Sequence, residues 1–420
     1  PSHNPKEYNG YKVYWSDGAQ LPPHHADAIA KELEKIDIFT GVKTMPFDEA
    51  KAAGRIELMG EETDNAFMEN VMAMVNDRAC VAKVADDFHV VYTPFHGCGW
   101  KLVPEALRGL GVKHLHCVPE QMVLDGSFPT VVSPNPENPE GFYLAVELAK
   151  QNHVDFILGT DPDSDRVGIM VRDHSGEFRP VTGNQTGVLL LDYLIGAMRR
   201  TGRMPEKPIA LKTIVTTEMA RKVAEVNGLP CYDTFTGFKF LAEKKDQLES
   251  SGAGTVIFAY EESYGYMMGD YVRDKDAVTA SMMLTEMAAW YAGQGMTLYI
   301  VQPAVQLCHG ARRDAVLPVQ NQRQRVARQI GQGGVILAHS QMQYRLAGGK
   351  IAKQLAGHLV VKGVAKAEQN VSPAFQLCRF FRRQQTGADE PCPQNALCPL
   401  RRRFKRFPPT AGHRQSQVRG

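Results

Sequence analysis

The pattern of apolar and polar positions along residues 89–159 predicts strands and helices that follow one another in turn. Short β-branched runs end at glycine or polar turns, and stretches with helical spacing lie between them. This order predicts a mostly parallel sheet with helices on both faces. The predicted elements are the strand-like run HVVYTPFHGCGW (89–100), which breaks into a glycine-bearing turn, a helix over 103–111, the strand VKHLHCV (112–118), a helix over 142–153 and the strand VDFILG (154–159).

The same pattern starts again after residue 204 and predicts a second α/β unit. Its elements are a strand over 208–215, a helix over 216–228, a strand over 229–235, a helix over 239–252 and the strand TVIFAY (255–260). Residues 1–80 show a partial unit with a short strand, YKVYW (11–15), and two helical stretches. The fold class is therefore α/β. The predicted ranges are 1–80 for a partial first domain, 85–190 for a second, 195–300 for a third and 301–420 for a tail.

Charge divides the chain near residue 300. Residues 301–420 contain 20 of the 48 Lys and Arg residues but only 4 of the 46 Asp and Glu residues, a balance of +16 against −14 for residues 1–300. The tail is also rich in Gln, and its basic stretch RRRFKRFPP (401–409) lacks an apolar face. Three explanations fit: a nucleic-acid-binding extension, a disordered basic tail, or translation out of frame. The simultaneous change in several properties favours the third, so nucleic acid is not the expected partner.

Targeting and redox signals are few. No apolar run reaches the roughly 18 residues of a membrane span, so we expect no membrane association. The chain starts at Pro1 without a signal peptide, and its eight cysteines form no CxxC pair. The sequence therefore predicts a reduced, cytoplasmic protein without a zinc site or a disulfide framework.

Three aspartates alternate in GTDPDSDRVG (159–168), just after a predicted strand. Close carboxylates repel one another, so Asp161, Asp163 and Asp165 favour a hard divalent cation between them. A solvated turn remains possible, because Asp and Pro are typical turn residues. A calcium loop of the EF-hand type fails because Arg166 and Arg172 stand where glycine and glutamate are required. A phosphatase with an Asp-x-Asp nucleophile is disfavoured, because that class has a small β-branched residue where Asp165 stands.

Four other stretches carry polar or charged groups that could act in a binding site. PSHNPKEYNGYK (1–12) places a serine near a lysine, although alone it resembles a frayed terminus. A serine can carry a phosphoryl group where a cation neutralises it and a lysine serves as acid or base. YEES (260–263) follows a strand and can bind hydroxyls, whereas FTGFKF (235–240) is a weak signal alone. RDKD (273–276) could equally be a solvated turn.

Together these stretches resemble the α-D-phosphohexomutases, the phosphoglucomutase/phosphomannomutase superfamily, and within it the bacterial phosphoglucomutase and phosphopentomutase-like branch. SHNPKEYNGYK resembles the active-serine motif, DPDSDR the metal loop, TGFK the sugar-recognition loop and EES the hydroxyl-binding motif. The motifs occur in the family's order over residues 1–300. The resemblance implies consecutive mixed-sheet α/β domains of the phosphohexomutase type, followed by an aberrant tail.

The resemblance also implies roles for single residues. Mg²⁺ would be held by the aspartates and a phosphoserine oxygen, and a sugar bisphosphate, glucose 1,6-bisphosphate, would be the intermediate and activator. The implied metal ligands are Ser2, Asp161, Asp163 and Asp165. The implied catalytic residues are Ser2, the phosphoryl carrier, with His3, Lys12 and Lys275. The implied substrate-binding residues are Arg166, Thr236, Gly237, Glu261, Ser263 and Lys275.

The chain departs from the family's pattern at both ends. The serine is the second residue, whereas the family has a substantial part of its first domain upstream of it. No loop of the type Arg-x-Ser-Gly-Thr-Glu-Pro, which binds the non-reacting phosphate, occurs in residues 301–420. We therefore expect a fragment that lacks the start of the first domain and the last domain.

The predicted function is Mg²⁺-dependent interconversion of glucose 1-phosphate and glucose 6-phosphate, with a small-molecule sugar phosphate as partner. Phosphomannose or phosphopentose is the alternative substrate. A truncated product that binds metal and sugar phosphate without turnover is the alternative class.

Overall fold

The computed structural model describes residues 3–8 and 10–299, together with the backbone of 334–338 and 343–347. The helices are α1 Pro23–Leu33, α2 Phe47–Ala52, α3 Glu61–Ala73, α4 Arg78–Val84, α5 Gly99–Leu110, α6 Tyr143–Gln151, α7 Gly183–Arg200, α8 Glu218–Val226, α9 Phe238–Ser250 and α10 Ala277–Ala292. The strands are β1 His89–Thr93, β2 His114–Cys117, β3 Phe156–Thr160, β4 Val167–Arg172, β5 Phe178–Val181, β6 Pro208–Thr213, β7 Cys231–Thr234, β8 Thr255–Tyr260, β9 Tyr266–Met267, β10 Gly334–Ala338 and β11 Gln343–Ala347.

Residues 89–181 form a five-stranded sheet, called sheet one, in the order β2-β1-β3-β4-β5. Strands β1, β2 and β3 are parallel, whereas β4 and β5 are antiparallel to their neighbours. Successive residues of β1 enter different cores, because side chains alternate across a strand. Val91 packs in the core beneath α6, while Val90 and Tyr92 join the larger core that includes α5 and α10. Helices therefore cover both faces.

Residues 208–267 form a second sheet, called sheet two, in the order β7-β6-β8-β9. Its first three strands are parallel, and β9 is antiparallel to β8. One face packs on α9 through Ile209, Leu211 and Ala259, and the other shares the larger core through Ala210 and Phe258. The predicted class of mixed-sheet α/β domains is confirmed.

Three helices lie before residue 80, where the pattern predicted two helical stretches; α2 has six residues, too few to show a periodicity. The pattern also left α7 and α10 unassigned. Helix α10 is buried from Ala277 to Tyr291. Its sequence therefore lacks the polar face that makes a surface helix recognisable from its pattern. None of the helices described has the length and apolar character needed to cross a bilayer.

The predicted strand over 11–15 is wrong. Tyr14 makes an isolated antiparallel bridge with Gln20, and no strand forms. This segment is instead held by side-chain hydrogen bonds to a loop of the third predicted domain. In the predicted tail, the described residues are β10 and β11, which pair in antiparallel register from Gly334↔Ala347 to Ala338↔Gln343. The other predictions for 301–420 lie outside the described residues.

Candidate active site

The three aspartates lie in a tight connection at the carboxyl end of β3. Strands β3 and β4 pair up to Thr160↔Val167, so residues 161–166 close an antiparallel turn. The carboxylate oxygens of Asp161, Asp163 and Asp165 include one from each residue that lie within 4.8 Å of one another. The turn therefore collects three carboxylates at one point.

Burial gives the Asp161 carboxylate a high electrostatic cost. Asp161 is fully buried, and its Oδ1 accepts the backbone N–H groups of Asp165 at 3.0 Å and Arg166 at 2.9 Å. Burial raises the pKa of Asp161 well above its usual range, and the charges of Asp165 and Asp163 raise it further. A cation among the three carboxylates would offset this cost.

Two lysines supply positive charge to the cluster. Lys12 Nζ lies 2.6 Å from Asp163 Oδ2 and 2.6 Å from Asp165 Oδ2, and Lys275 Nζ lies 3.0 Å from Asp165 Oδ2. Burial alone would lower the pKa of Lys12, but the charges and hydrogen bonds of the two aspartates outweigh it and raise the pKa. The pKa of Lys275 is raised by the same balance, between burial and the charge of Asp165. Both side chains are therefore ammonium ions at neutral pH.

The cluster fits a hard divalent cation. Its donors are all carboxylate oxygens, the ligands that Mg²⁺ and Ca²⁺ prefer. The Oδ1 atom of Asp165 is buried and accepts no hydrogen bond from the part of the chain that the structure describes. Lys12 already binds two of the carboxylates, so the position between them accommodates a cation.

The turn after β1 supports the aspartate loop. The backbone N–H of Cys98 donates to the carbonyl of Pro162 at 2.8 Å. A Cβ atom on Gly97 would lie 2.2 Å from Pro162 Cα, a distance that no side chain can occupy. Glycine at this position therefore allows the two loops to pack backbone to backbone.

The two predicted sugar loops meet at the carboxyl edge of sheet two. Glu261 follows β8, and its Oε1 accepts the backbone N–H of Gly237 at 2.7 Å. Gly237 has φ 116° and ψ 127°, a conformation that favours glycine. Burial raises the pKa of Glu261, although the charge of Lys275 opposes the shift. Thr236 is exposed, and Ser263 Oγ lies 3.5 Å from Glu262 Oε1.

Backbone contacts join the aspartate loop to the segment that carries Glu261. Arg166 and Gly265 form an antiparallel bridge, and the N–H of Val167 donates to the carbonyl of Tyr264 at 3.1 Å. The N–H of Ala277 donates to the carbonyl of Ser164 at 3.0 Å. The aspartate loop and the two predicted sugar loops therefore lie next to one another.

The N-terminal segment reaches the same site. Ser133 Oγ donates to the carbonyl of His3 at 3.5 Å. Burial lowers the pKa of His3, as does the charge of Arg166, while Asp165 and Asp163 oppose the shift. The charges of the aspartate loop therefore act on His3. Ser2 lies outside the described residues.

Two carboxylates at the site were not predicted. Asp274 is 4% exposed, and its Oδ2 accepts hydrogen bonds from Tyr14 at 2.9 Å and Gln20 at 2.7 Å, so RDKD is not a solvated turn. The second is Glu137, whose Oε1 lies 3.4 Å from Arg166 Nη1. The mixed charges of RDKD gave only a weak indication that Asp274 lies at the site. The proline-rich stretch gave no signal for Glu137.

Family models match three consecutive parts of the chain. They are described as the α/β/α domains of phosphoglucomutase/phosphomannomutase: domain I over residues 1–38, domain II over 65–176 and domain III over 182–302. A phosphoglucomutase from Staphylococcus aureus strain MRSA252 is 35% identical over 297 residues, which are 71% of this chain and 51% of that protein. The chain thus spans about half the length of the curated relatives it matches.

Solved structures share the fold at lower identity. A protein described as a phosphomannomutase from Thermus thermophilus matches with a TM-score of 0.55 and 22% identity, over 74% of this chain and 62% of that one. Parafusin, a phosphoglucomutase from Paramecium, matches with a TM-score of 0.52 and 19% identity, over 72% and 55%. At these identities the likeness concerns the fold alone.

Proposed function

Because this chain belongs to the phosphoglucomutase/phosphomannomutase family of α-D-phosphohexomutases, we propose that it carries the phosphoryl-transfer site of a phosphosugar mutase. The proposed reaction interconverts glucose 1-phosphate and glucose 6-phosphate through a phosphoserine and glucose 1,6-bisphosphate. The observation that carries the proposal is the convergence of Lys12 and Lys275 on the aspartate loop.

Asp161, Asp163 and Asp165, with an oxygen of phosphorylated Ser2, would hold Mg²⁺. When bound, this ion would neutralise charge on the transferring phosphoryl group. In the first transfer a sugar hydroxyl takes the phosphoryl group and the bond from phosphorus to Ser2 Oγ breaks. The Lys12 ammonium donates a proton to the departing Oγ, and the resulting amine takes the proton that the sugar hydroxyl releases; the second transfer reverses both proton movements.

The remaining residues bind and orient the substrate. Arg166 and Lys275 lie beside the aspartate loop and are proposed to contact phosphate. Glu261, held by the N–H of Gly237, and Ser263 are proposed to bind sugar hydroxyls, with Thr236 on the facing loop. The bisphosphate must turn over between the two transfers, so these contacts must suit either orientation. Mannose or pentose phosphates differ by few hydroxyls and are the alternative substrates.

The test uses the purified full chain with Mg²⁺, glucose 1-phosphate and a trace of glucose 1,6-bisphosphate, and measures glucose 6-phosphate with a coupled dehydrogenase. We expect turnover that is lost in Ser2→Ala and kept in Ser127→Ala, a matched control on an exposed loop. Turnover that survives Ser2→Ala would contradict the proposed role of the serine.

A second function, binding of metal and sugar phosphate without turnover, is favoured by one observation. The family matches end at residue 302, and residues 301–420 contain no Arg-x-Ser-Gly-Thr-Glu-Pro loop. Binding energy from the non-reacting phosphate contributes to transition-state stabilisation, so its loss lowers turnover. This function predicts calorimetric binding of glucose 1-phosphate with no glucose 6-phosphate formed.

A further inference from the structure

Three histidines form a second cluster of metal-ligating side chains on sheet one. His89 begins β1, and His114 and His116 lie in β2, the edge strand. His89 is directly opposite His114 in the parallel pair. His116 is two residues further along the strand, so its side chain is on the same face as that of His114. The cluster begins at the amino end of β1, whereas the aspartate loop follows the carboxyl end of β3.

The three rings are in contact and accessible. The ring centroids of His89 and His114 are 4.3 Å apart, and those of His89 and His116 are 5.4 Å apart. His116 Nε2 lies 3.3 Å from His89 Nδ1. All three side chains are partly exposed, because β2 has no further strand beside it.

The nitrogen separation is the one that a single metal ion requires of two ligands. Zinc–nitrogen bonds are about 2.0–2.1 Å long, and tetrahedral geometry then places two nitrogens about 3.3 Å apart. Burial lowers the pKa of His89, as does the charge of His114. It also lowers the pKa of His116, with His89 acting in the same direction. Neutral imidazole is the form that binds metal.

We propose that His89, His114 and His116 form a surface site for a transition-metal ion of the Zn²⁺, Ni²⁺ or Cu²⁺ class. His89 and His116 are the first two ligands, and the partly exposed ring of His114 rotates from its stacked position on His89 to become the third. Imidazole nitrogen suits these ions, whereas Mg²⁺ prefers oxygen. The site is thus separate in position and chemistry from the aspartate loop, and it does not depend on the proposed mutase function.

The test is binding of Cu²⁺ to the full chain in saturating Mg²⁺, followed by electron paramagnetic resonance. We expect one Cu²⁺ per chain with couplings from two or three nitrogens, and affinity about tenfold or more weaker in His116→Gln. The matched control is His24→Gln with His25→Gln, because those rings also lie close, with centroids 4.0 Å apart. Its affinity should equal that of the wild type.

Two results would overturn the proposal. One is Cu²⁺ without nitrogen couplings, and the other is unchanged affinity in a folded His116→Gln chain. If that variant does not fold, the wild type answers the question by mass spectrometry. Zn²⁺ should protect His89 and His116, but not His24, from acylation by diethyl pyrocarbonate. Equal acylation with and without Zn²⁺ then refutes the site.

Discussion

Replacing Lys12 by methionine is expected to tighten the binding of a divalent cation at the aspartate loop. In the structure the Lys12 ammonium binds Asp163 Oδ2 and Asp165 Oδ2, each at 2.6 Å. A metal ion that uses these oxygens has to displace the ammonium. Methionine keeps the length and apolar stem of the side chain but removes the competing charge.

The magnitude follows from the two ion pairs. The Lys12 side chain retains 37% of its accessible surface, so solvent screens each pair and each contributes about 0.2–1 kcal/mol. Removing both therefore relieves about 0.4–2 kcal/mol of competition. This corresponds to an affinity that is about two- to thirtyfold tighter.

Mn²⁺ is a suitable probe, because its free ion gives a resonance signal that disappears on binding. The matched control is Lys6→Met, which removes an exposed charge from the same segment. The expected order is tighter binding by Lys12→Met than by Lys6→Met or the wild type. Equal or weaker binding by Lys12→Met would refute the competition, and an equal gain in Lys6→Met would show a general effect of charge.

Three further changes test the packing of the site and its surroundings. Gly97→Ala places a methyl group against Pro162 and should cost about 1–3 kcal/mol of unfolding free energy, measured in urea. Asp274→Asn weakens the acceptor of Tyr14 and should make residues 3–20 more sensitive to a protease. Burial raises the pKa of Glu286 above its usual 4.5, so the stability it contributes at lower pH is lost as pH rises; Glu286→Gln should flatten this fall in urea titrations.

Each of these changes has a matched control. Gly126→Ala adds a methyl group in open space and should be neutral, so equal losses at the two glycines would contradict the packing argument. Asp125→Asn alters a carboxylate whose partner is Ser127, outside the 3–20 segment, and should leave cleavage within 3–20 unchanged. If Glu286→Gln and the wild type lose stability in parallel above pH 4.5, Glu286 does not titrate as argued.

The parallel strands of both sheets, β1 to β3 and β6 to β8, could be predicted because their sequences carry strong local signals, whereas the antiparallel strands β4, β5 and β9 were not predicted. TVIFAY coincides with β8, Thr255–Tyr260, and VDFILG overlaps β3, Phe156–Thr160. The prediction of a strand at YKVYW was wrong, because these residues alternate in polarity without pairing with a strand of either sheet. Tyr14 instead donates to Asp274, which is 260 positions away and cannot be inferred from local pattern.

Sequence pattern identified the residue types of the site better than their contacts. The alternating aspartates predicted a carboxylate cluster, and the structure brings one oxygen from each within 4.8 Å. The two lysines that bind the cluster come from opposite ends of the described chain, so their contacts depend on the tertiary fold. Glu137 had no sequence signal, because its contact with Arg166 depends on the path of the proline-rich loop.

The central claim is that Ser2 exchanges a phosphoryl group with a sugar bisphosphate at this site. The most direct measurement is the intact mass of the full chain after incubation with Mg²⁺ and glucose 1,6-bisphosphate, followed by peptide mapping. The account predicts a gain of one phosphoryl group on Ser2, its loss on addition of glucose 1-phosphate, and little labelling in Asp163→Asn. An unmodified Ser2, or a label on another residue, would contradict it.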